Sequence, residues 1–354
     1  MSTPARRIAA WLAAILVLLA ASLFFYIRSF GLHQAPRPDP HATPASLAYL
    51  KDSVGERRGR ILAVVSSTAT MAGGKKKAGY ELTELARAYY VFQANGFEVD
   101  IASPAGGKPP ARIDTDDMQD VDYAFLNDAA AQRKVGASLP LADVDATRYA
   151  AVYFVGGKGA MFDFPGNGDI ARIVREIAPR GVVGAVCHGP AALLDVTLDN
   201  GAPLVANRRM TGFTNDEELF LMEDARRILP FLLEERARER GARFVGGPQF
   251  VDTTVVDGRL VTGQNPWSTW SVAEAMVRTL GHEPLAREAT PEERSVRMLA
   301  AYYREGLEAG RAMQAAQGAQ AAQFDRSLVL LHALVAVMQW RVKDAFQLQR
   351  LARG

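Results

Sequence analysis

One cysteine, Cys187, stands in a chain of 354 residues. A lone thiol excludes an intrachain disulfide and leaves no thiolate cluster to hold zinc, so no metal is expected. Neither sign of charge dominates, with 41 Lys and Arg against 39 Asp and Glu. No basic stripe or arm stands out, which argues against a nucleic-acid partner. No internal repeat of solenoid length is present either. Aromatic residues make up only 8% of the chain, while nearly half of it is hydrophobic. That length and apolar content suffice for one large domain with additions, or for two domains.

Long charge-free apolar runs are scarce, and the longest opens the chain. Residues 8–27, "IAAWLAAILVLLAASLFFYI", carry no charge over 20 positions. At about 1.5 Å per residue such a helix matches a hydrocarbon core about 30 Å thick. Arg6 and Arg7 precede the run and Arg28 follows it. The positive-inside rule then predicts a single-pass anchor in the inner (cell) membrane, with the remainder on the periplasmic or extracytoplasmic side. A cleaved signal peptide is the rival, but "LFFYI" continues past the small residues that would form its cleavage site. Residues 31–58, rich in Pro and charge, read as a semi-extended tether.

From residue 59 the pattern alternates. "RILAVVSS", "FEVDIAS", "YAAVYFVGG" and "GVVGAV" read as strands, most of them short apolar runs of the kind that is buried on both faces. "GYELTELARAYYVFQA" and "GDIARIVREIAPRG" read as helices closed by Asn95-Gly96 and Gly181. Such alternation predicts an α/β fold, a parallel sheet sandwiched by helices, over residues 59–283. Asp257-Gly258 between two β-rich runs predicts a tight hairpin. Residues 284–354 are rich in Ala, Gln, Arg and Glu and read as a helical C-terminal extension that packs on the main domain or on a second copy.

The cysteine lies in "GAVCHGPAALL", where a strand runs into a helix-like segment. Parallel sheets place ligands beyond the carboxyl ends of their strands, and a sharp strand-to-helix turn thrusts a side chain into that cleft. A helix N-terminus aimed at the sulfur would favour thiolate over thiol. The bland alternative is a packed core cysteine, since free Cys is among the most buried residue types.

Together "AVCHGPAALL", "KAGYELTELARAYYVFQANGFEVDIASPAGG", "GGKGAMFDFP", "TGFTNDEE" and "DGRLVTGQNP" resemble the ThiJ/PfpI superfamily, in its heat-shock chaperone and glyoxalase III branch. The resemblance runs from about Arg60 to Gly281 and implies a flavodoxin-like, class I glutamine amidotransferase-like fold. It implies Cys187 as nucleophile, His188 as its imidazole partner and Glu218 as the acid that orients the histidine, with Glu217 the alternative one residue away. Glu84 matches the cleft carboxyl beside the nucleophile, and a carboxyl buried there is expected to be protonated. Glu81 fits an exposed first-turn acid equally well. Gly156 and Gly157 are the expected oxyanion donors, joined by the His188 N–H. Lys158 stands where this branch usually has histidine, and reads as a solvated residue at the cleft rim.

The reaction the resemblance implies is glutathione-independent glyoxalase III chemistry, with no cofactor. It turns a small reactive carbonyl such as methylglyoxal into a 2-hydroxy acid such as lactate, or deglycates a glycated protein. A cysteine peptidase or amidase uses the same triad, because Cys-His-acid does not define the electrophile. A holdase chaperone with secondary catalysis is the reading from another class. A homodimer is a further expectation.

Overall fold

Alternating side chains make the first strand a buried one. In β1 (Gly59–Val64), Ile61 and Ala63 face one layer of the core while Leu62 and Val64 face the other. The computed structural model describes residues 11–14, 17, 28, 37–198, 200–318 and 324–353. The chain divides into two compact units, Pro38–Glu288 and a second that holds Ala289–Gly354.

In the first unit β1 joins β2 (Phe97–Ser103), β3 (Leu139–Pro140), β4 (Ala151–Phe154), β5 (Val182–Val186), β6 (Thr254–Asp257) and β7 (Leu260–Gly263). Their spatial order is β6-β7-β5-β4-β1-β2-β3. Neighbours run parallel except β6 and β7, a hairpin in which Asp257 lies opposite Leu260. Helices cover both faces, as an all-parallel centre requires. Helix α1 (Leu82–Ala94) contributes Leu85, Tyr89 and Phe92 to one layer. On the opposite face α2 (Gly168–Ile177) buries Ile170, Ile173, Val174 and Ile177, one stripe at helical spacing. Asn167 caps its start by accepting from the N–H groups of Asp169 and Ile170. Helix α3 (Asn215–Leu221) leaves the cleft edge, and α4 (Thr269–Thr279) returns to the α1 face through Val272, Ala273 and Met276.

The segment read as a tether is part of this unit from Pro38 onward. Ala42 and Leu47 are buried in the α1-side layer, and the Asn127 side-chain amide donates to the carbonyls of Pro40 and Ala42. Prolines bend the chain here without freeing it, because two apolar residues and two hydrogen bonds hold it down.

The second unit holds α5 (Pro291–Glu305), α6 (Leu307–Ala316), α7 (Arg326–Met338) and α8 (Val342–Arg353). Thr290 and Glu293 form a reciprocal capping box at the start of α5, and Pro291 occupies the first turn, where its missing N–H costs nothing. Val329, Ala336, Leu348 and Ala352 are fully buried along α7 and α8.

The expected transmembrane helix is corrected. Among the described residues no helix is long and apolar enough to cross a membrane. Most of the run 8–27 lies outside the described residues, and the membrane location inferred from it falls with that inference. The run was read by its lack of charge and its length, and neither supplies a continuous described helix.

Packing at one turn yields a stability test. A Cβ on Gly189, just after His188, would overlap the Phe154 carbonyl oxygen, and that backbone is held in β4. Gly189→Ala should therefore destabilise the domain by about 1–3 kcal/mol. Gly168→Ala, which meets nothing within 4 Å at the start of α2, should shift stability by less than about 1 kcal/mol. Urea midpoints for the two variants check this, and equal midpoints would mean that the turn is not tightly packed.

Candidate active site

Strand β5 ends at Val186, and the next residue turns the chain. Cys187 has φ 58°, a left-handed conformation rare for a side chain with a Cβ. Two hydrogen bonds hold it: its N–H donates to the Gly263 carbonyl at 3.0 Å, and its carbonyl accepts from the Phe213 N–H at 2.8 Å. A strained backbone over-determined from both sides, at the carboxyl edge of a parallel sheet, is where reactive groups cluster. Past the turn the chain enters a five-residue 3-10 helix, Gly189–Leu193, with Pro190 at its start.

The side chains form a line. Cys187 Sγ lies 3.3 Å from His188 Nδ1, and His188 Nε2 lies 2.5 Å from Glu218 Oε2. Glu218 Oε1 accepts from Lys158 Nζ at 2.8 Å. Burial alone would raise the Glu218 carboxyl, but His188 and Lys158 outweigh it and hold the group at about 2. Glu218 is thus an anion that can only accept, so Nε2 carries the proton and the Nδ1 lone pair faces the sulfur. The Phe213 ring lies beside the imidazole, 4.6 Å between centroids, and limits its rotation. This depressed carboxyl adds stability above the usual carboxylate range, which is lost as pH falls towards about 2.

On the other side of the sulfur stands Glu84, fully buried in the first turn of α1. Its Oε2 accepts from the Gly156 N–H at 2.7 Å, whereas Oε1 is buried with no hydrogen-bond partner among the described residues. Burial pushes this carboxyl well above the usual range, and nearby Glu81 adds to the shift. Burial therefore favours the protonated form of Glu84. Tyr153, buried beneath it, donates its hydroxyl to the Glu84 carbonyl at 3.0 Å. Glu81 occupies the N-cap position of α1 without a side-chain cap hydrogen bond: its N–H donates to the Gly156 carbonyl and its carboxyl lies 3.8 Å from Arg112. Burial lifts the Glu81 carboxyl to about 8, partly offset by that arginine.

Burial also drives the Cys187 thiol well above its ordinary value, and the Glu84 carboxyl beside it adds to the shift, while the Gly157 N–H at the sulfur works the other way. The expected low-pKa thiolate is corrected accordingly. A five-residue 3-10 helix has little dipole to offer, and desolvation of a buried anion exceeds it. The resting site thus holds a thiol beside a carboxyl whose burial favours its protonated form.

Two further expectations are corrected by the geometry. Gly156 does not offer its N–H to an oxyanion, because Glu84 holds it. A Cβ there would strike Glu84 Oε2, the Val186 carbonyl and the His188 nitrogen at 2.7–2.8 Å. The Gly157 N–H, by contrast, lies at the Cys187 sulfur. Lys158 is not solvated at the rim but paired to Glu218, with its side chain 22% exposed. Among the described residues no group of His, Cys, Asp and Glu could hold a metal ion. The roles of Lys158, Tyr153 and Phe213 had no local signal in the sequence. Lys158 and Tyr153 act on residues 60 and 69 positions away, and Phe213 reaches the imidazole from a separate segment.

Glu217 is fully buried but faces away from the histidine. It accepts from the Phe250 N–H and Asn265 Nδ2, both at 2.8 Å, and from the Thr214 N–H and hydroxyl.

Residues 76–279 match the family model described as DJ-1/PfpI family. The chain is 30% identical over 227 residues to glyoxalase 3 of Candida albicans, a match covering 61% of this chain and 96% of that one. It is 33% identical over 230 residues to the glutathione-independent glyoxalase HSP31 of Saccharomyces cerevisiae, covering 62% and 97%. Among solved structures, rapid encystment protein 24 kDa of Francisella tularensis superposes with a TM-score of 0.60 at 33% identity, covering 63% of this chain and 99% of that one. The crystal structure of glyoxalase III from Candida albicans superposes with a TM-score of 0.58 at 26% identity, covering 64% and 98%.

The two adjacent glutamates should separate by experiment. Glu217→Ala strips four donors of their acceptor and should lower stability by about 2–3 kcal/mol. Glu218→Ala, which leaves His188 and Lys158 without their acceptor, should lower the midpoint as well, but it alone should slow alkylation of Cys187 by iodoacetamide. Equal slowing of alkylation in both variants would contradict the division of labour between them.

Proposed function

Because the chain belongs to the DJ-1/PfpI family, we propose that it is a glutathione-independent glyoxalase, converting a 2-oxoaldehyde such as methylglyoxal into a 2-hydroxy acid such as lactate. The observation that carries this reading is the pair of opposed proton carriers flanking one sulfur: His188 backed by an ionised Glu218, and a neutral Glu84. Moving a proton between adjacent carbons needs a buried acid that can also act as a base. The names of the relatives, glyoxalase 3 and glutathione-independent glyoxalase, support the same choice.

The sulfur attacks the aldehyde carbon as its proton passes to His188 Nδ1, and Glu218 stabilises the imidazolium. The aldehyde oxygen, near the Gly157 and His188 N–H groups, takes the Glu84 proton, giving a hemithioacetal and a Glu84 carboxylate. That carboxylate removes the hydrogen from the former aldehyde carbon, while the imidazolium protonates the neighbouring oxygen, so an enediol forms. Glu84 then delivers its proton to the second carbon, and the hydroxyl on the first returns its proton to His188 as the thioester carbonyl forms. Water attacks the thioester and gives one proton to Glu84, while the imidazolium reprotonates the departing sulfur. One 2-oxoaldehyde and one water become one 2-hydroxy acid, and the three side chains end as they began. The sulfur of the enzyme occupies the place that a free thiol cosubstrate would take.

Cys187→Ser should abolish methylglyoxal consumption by the purified full chain, since a hydroxyl at neutral pH is a far weaker nucleophile than sulfur. Wild-type activity in the serine variant would remove Cys187 from the reaction. Hydrolysis of a peptide or amide by the wild type, with no turnover of 2-oxoaldehydes, would transfer the reading to acyl transfer.

Glu84→Gln keeps volume and a donor but cannot exchange a proton. Lactate formation should fall by about 100- to 10,000-fold while the hemithioacetal still forms, its oxygen taking the proton of the His188 imidazolium instead. Mass spectrometry of the trapped adduct and solvent-deuterium incorporation at the second carbon of lactate test this. Full activity with unchanged deuterium incorporation would assign the carbon-to-carbon transfer to another group.

A further inference from the structure

We propose that Lys158 is a positioning residue that locks Glu218 in the orientation His188 needs, by holding the carboxylate oxygen that His188 does not use. The Glu218 carboxylate has two oxygens, each with a separate duty: Oε2 meets His188 Nε2 at 2.5 Å, and Oε1 meets Lys158 Nζ at 2.8 Å. Held at both oxygens, the carboxylate cannot rotate without breaking a charge-assisted hydrogen bond. Side-chain exposure is 5% for Glu218 and 22% for Lys158, so solvent screens the pair less than a surface bridge.

The backbone on either side of Lys158 is fixed as well. The Gly156 carbonyl accepts from the Glu81 N–H at 3.2 Å, and the Gly159 N–H donates to the Gly79 carbonyl at 3.0 Å. The ammonium is thus carried by a loop anchored at two points, not by a free chain. The charged and titratable groups that face Glu218 are His188, from the turn after β5, and Lys158, from the loop after β4. Glu217 on the same helix turns towards Phe250, Asn265 and Thr214. Removing Lys158 would leave Glu218 ionised at neutral pH but free to swing, so the loss is one of orientation.

The inference rests on the glyoxalase reading only for the reaction measured, and its other readouts need no substrate. Lys158→Met should lower kcat by about 10- to 100-fold, the worth of a hydrogen bond to a charged group, with KM within about twofold. Lys158→Arg should restore most of the rate. Lys158→His should resemble wild type at acid pH and Lys158→Met at alkaline pH, with the change above about 6.5, because imidazole is charged only when protonated and the Glu218 carboxylate favours that form. Carbon-13 NMR of glutamate-labelled full chain, with the signal assigned by Glu218→Gln, should show the carboxyl titrating higher in Lys158→Met and near the wild-type position in Lys158→Arg. Alkylation of Cys187, the only cysteine, should follow the same order of variants. An unchanged kcat and Glu218 titration in Lys158→Met would overturn the proposal. So would a pH-independent Lys158→His with the same deficit as Lys158→Met, which would mark a steric role. Failure of the wild type to consume methylglyoxal would sink the glyoxalase reading alone, since the titration and alkylation still report on Lys158.

Discussion

The left-handed backbone of Cys187 is the constraint on which the rest of the site depends. A residue with φ 58° at the end of β5 reverses the chain within one position. Reversal brings the next side chain, His188, alongside the sulfur and presents the backbone of both residues to the cleft. The strain, of order 1–2 kcal/mol, is sustained because β7 supplies the Gly263 carbonyl on one side and the Phe213 N–H closes the other. Gly156 and Gly189 then have no room for a Cβ, since the backbones of neighbouring strand ends meet the turn closely.

Around that turn two carboxyl groups are driven in opposite directions. Glu84 is fully buried and receives one backbone N–H, with the Glu81 carboxyl nearby, so desolvation dominates and favours its protonated form. Glu218 is nearly as buried, but an imidazole N–H and an ammonium meet its two oxygens, and it ionises even at about 2. Burial is common to both, and the difference lies in the number of donors and the cation at hand. One acid is thereby suited to giving and taking a proton, the other to holding a permanent negative charge behind the base. The cysteine between them is a thiol at rest, so in the proposed reaction the sulfur would attack as His188 draws its proton off and not as a standing thiolate.

Local pattern alone determined much of this protein. The apolar β-branched runs at residues 59–64 and 182–186, the helical stripe of Leu85, Tyr89 and Phe92, and Asp257-Gly258 between two strands dictate an α/β sheet. Those signals are local because burial on one or two faces of an element leaves a period in the chain. The strand running into Cys-His-Gly-Pro likewise marked the sharp turn, and the motif resemblance pointed to Cys187, His188, Glu84 and Glu218.

Only the tertiary structure decided which of two adjacent glutamates meets the histidine, since Glu217 and Glu218 differ by one step of a helix start and in nothing else legible. It decided that Lys158 belongs with Glu218, 60 residues further along. It also turned Gly156 from an expected oxyanion donor into the support of Glu84. The directions of the proton equilibria were settled there as well, because desolvation depends on everything packed around a group. The apolar run at 8–27 shows the reverse limit: length and lack of charge describe a segment able to enter a membrane, but among the described residues no helix of that length and apolarity exists. Periodicity is written in neighbouring residues, whereas the environment of a charge is assembled from residues far apart in the chain.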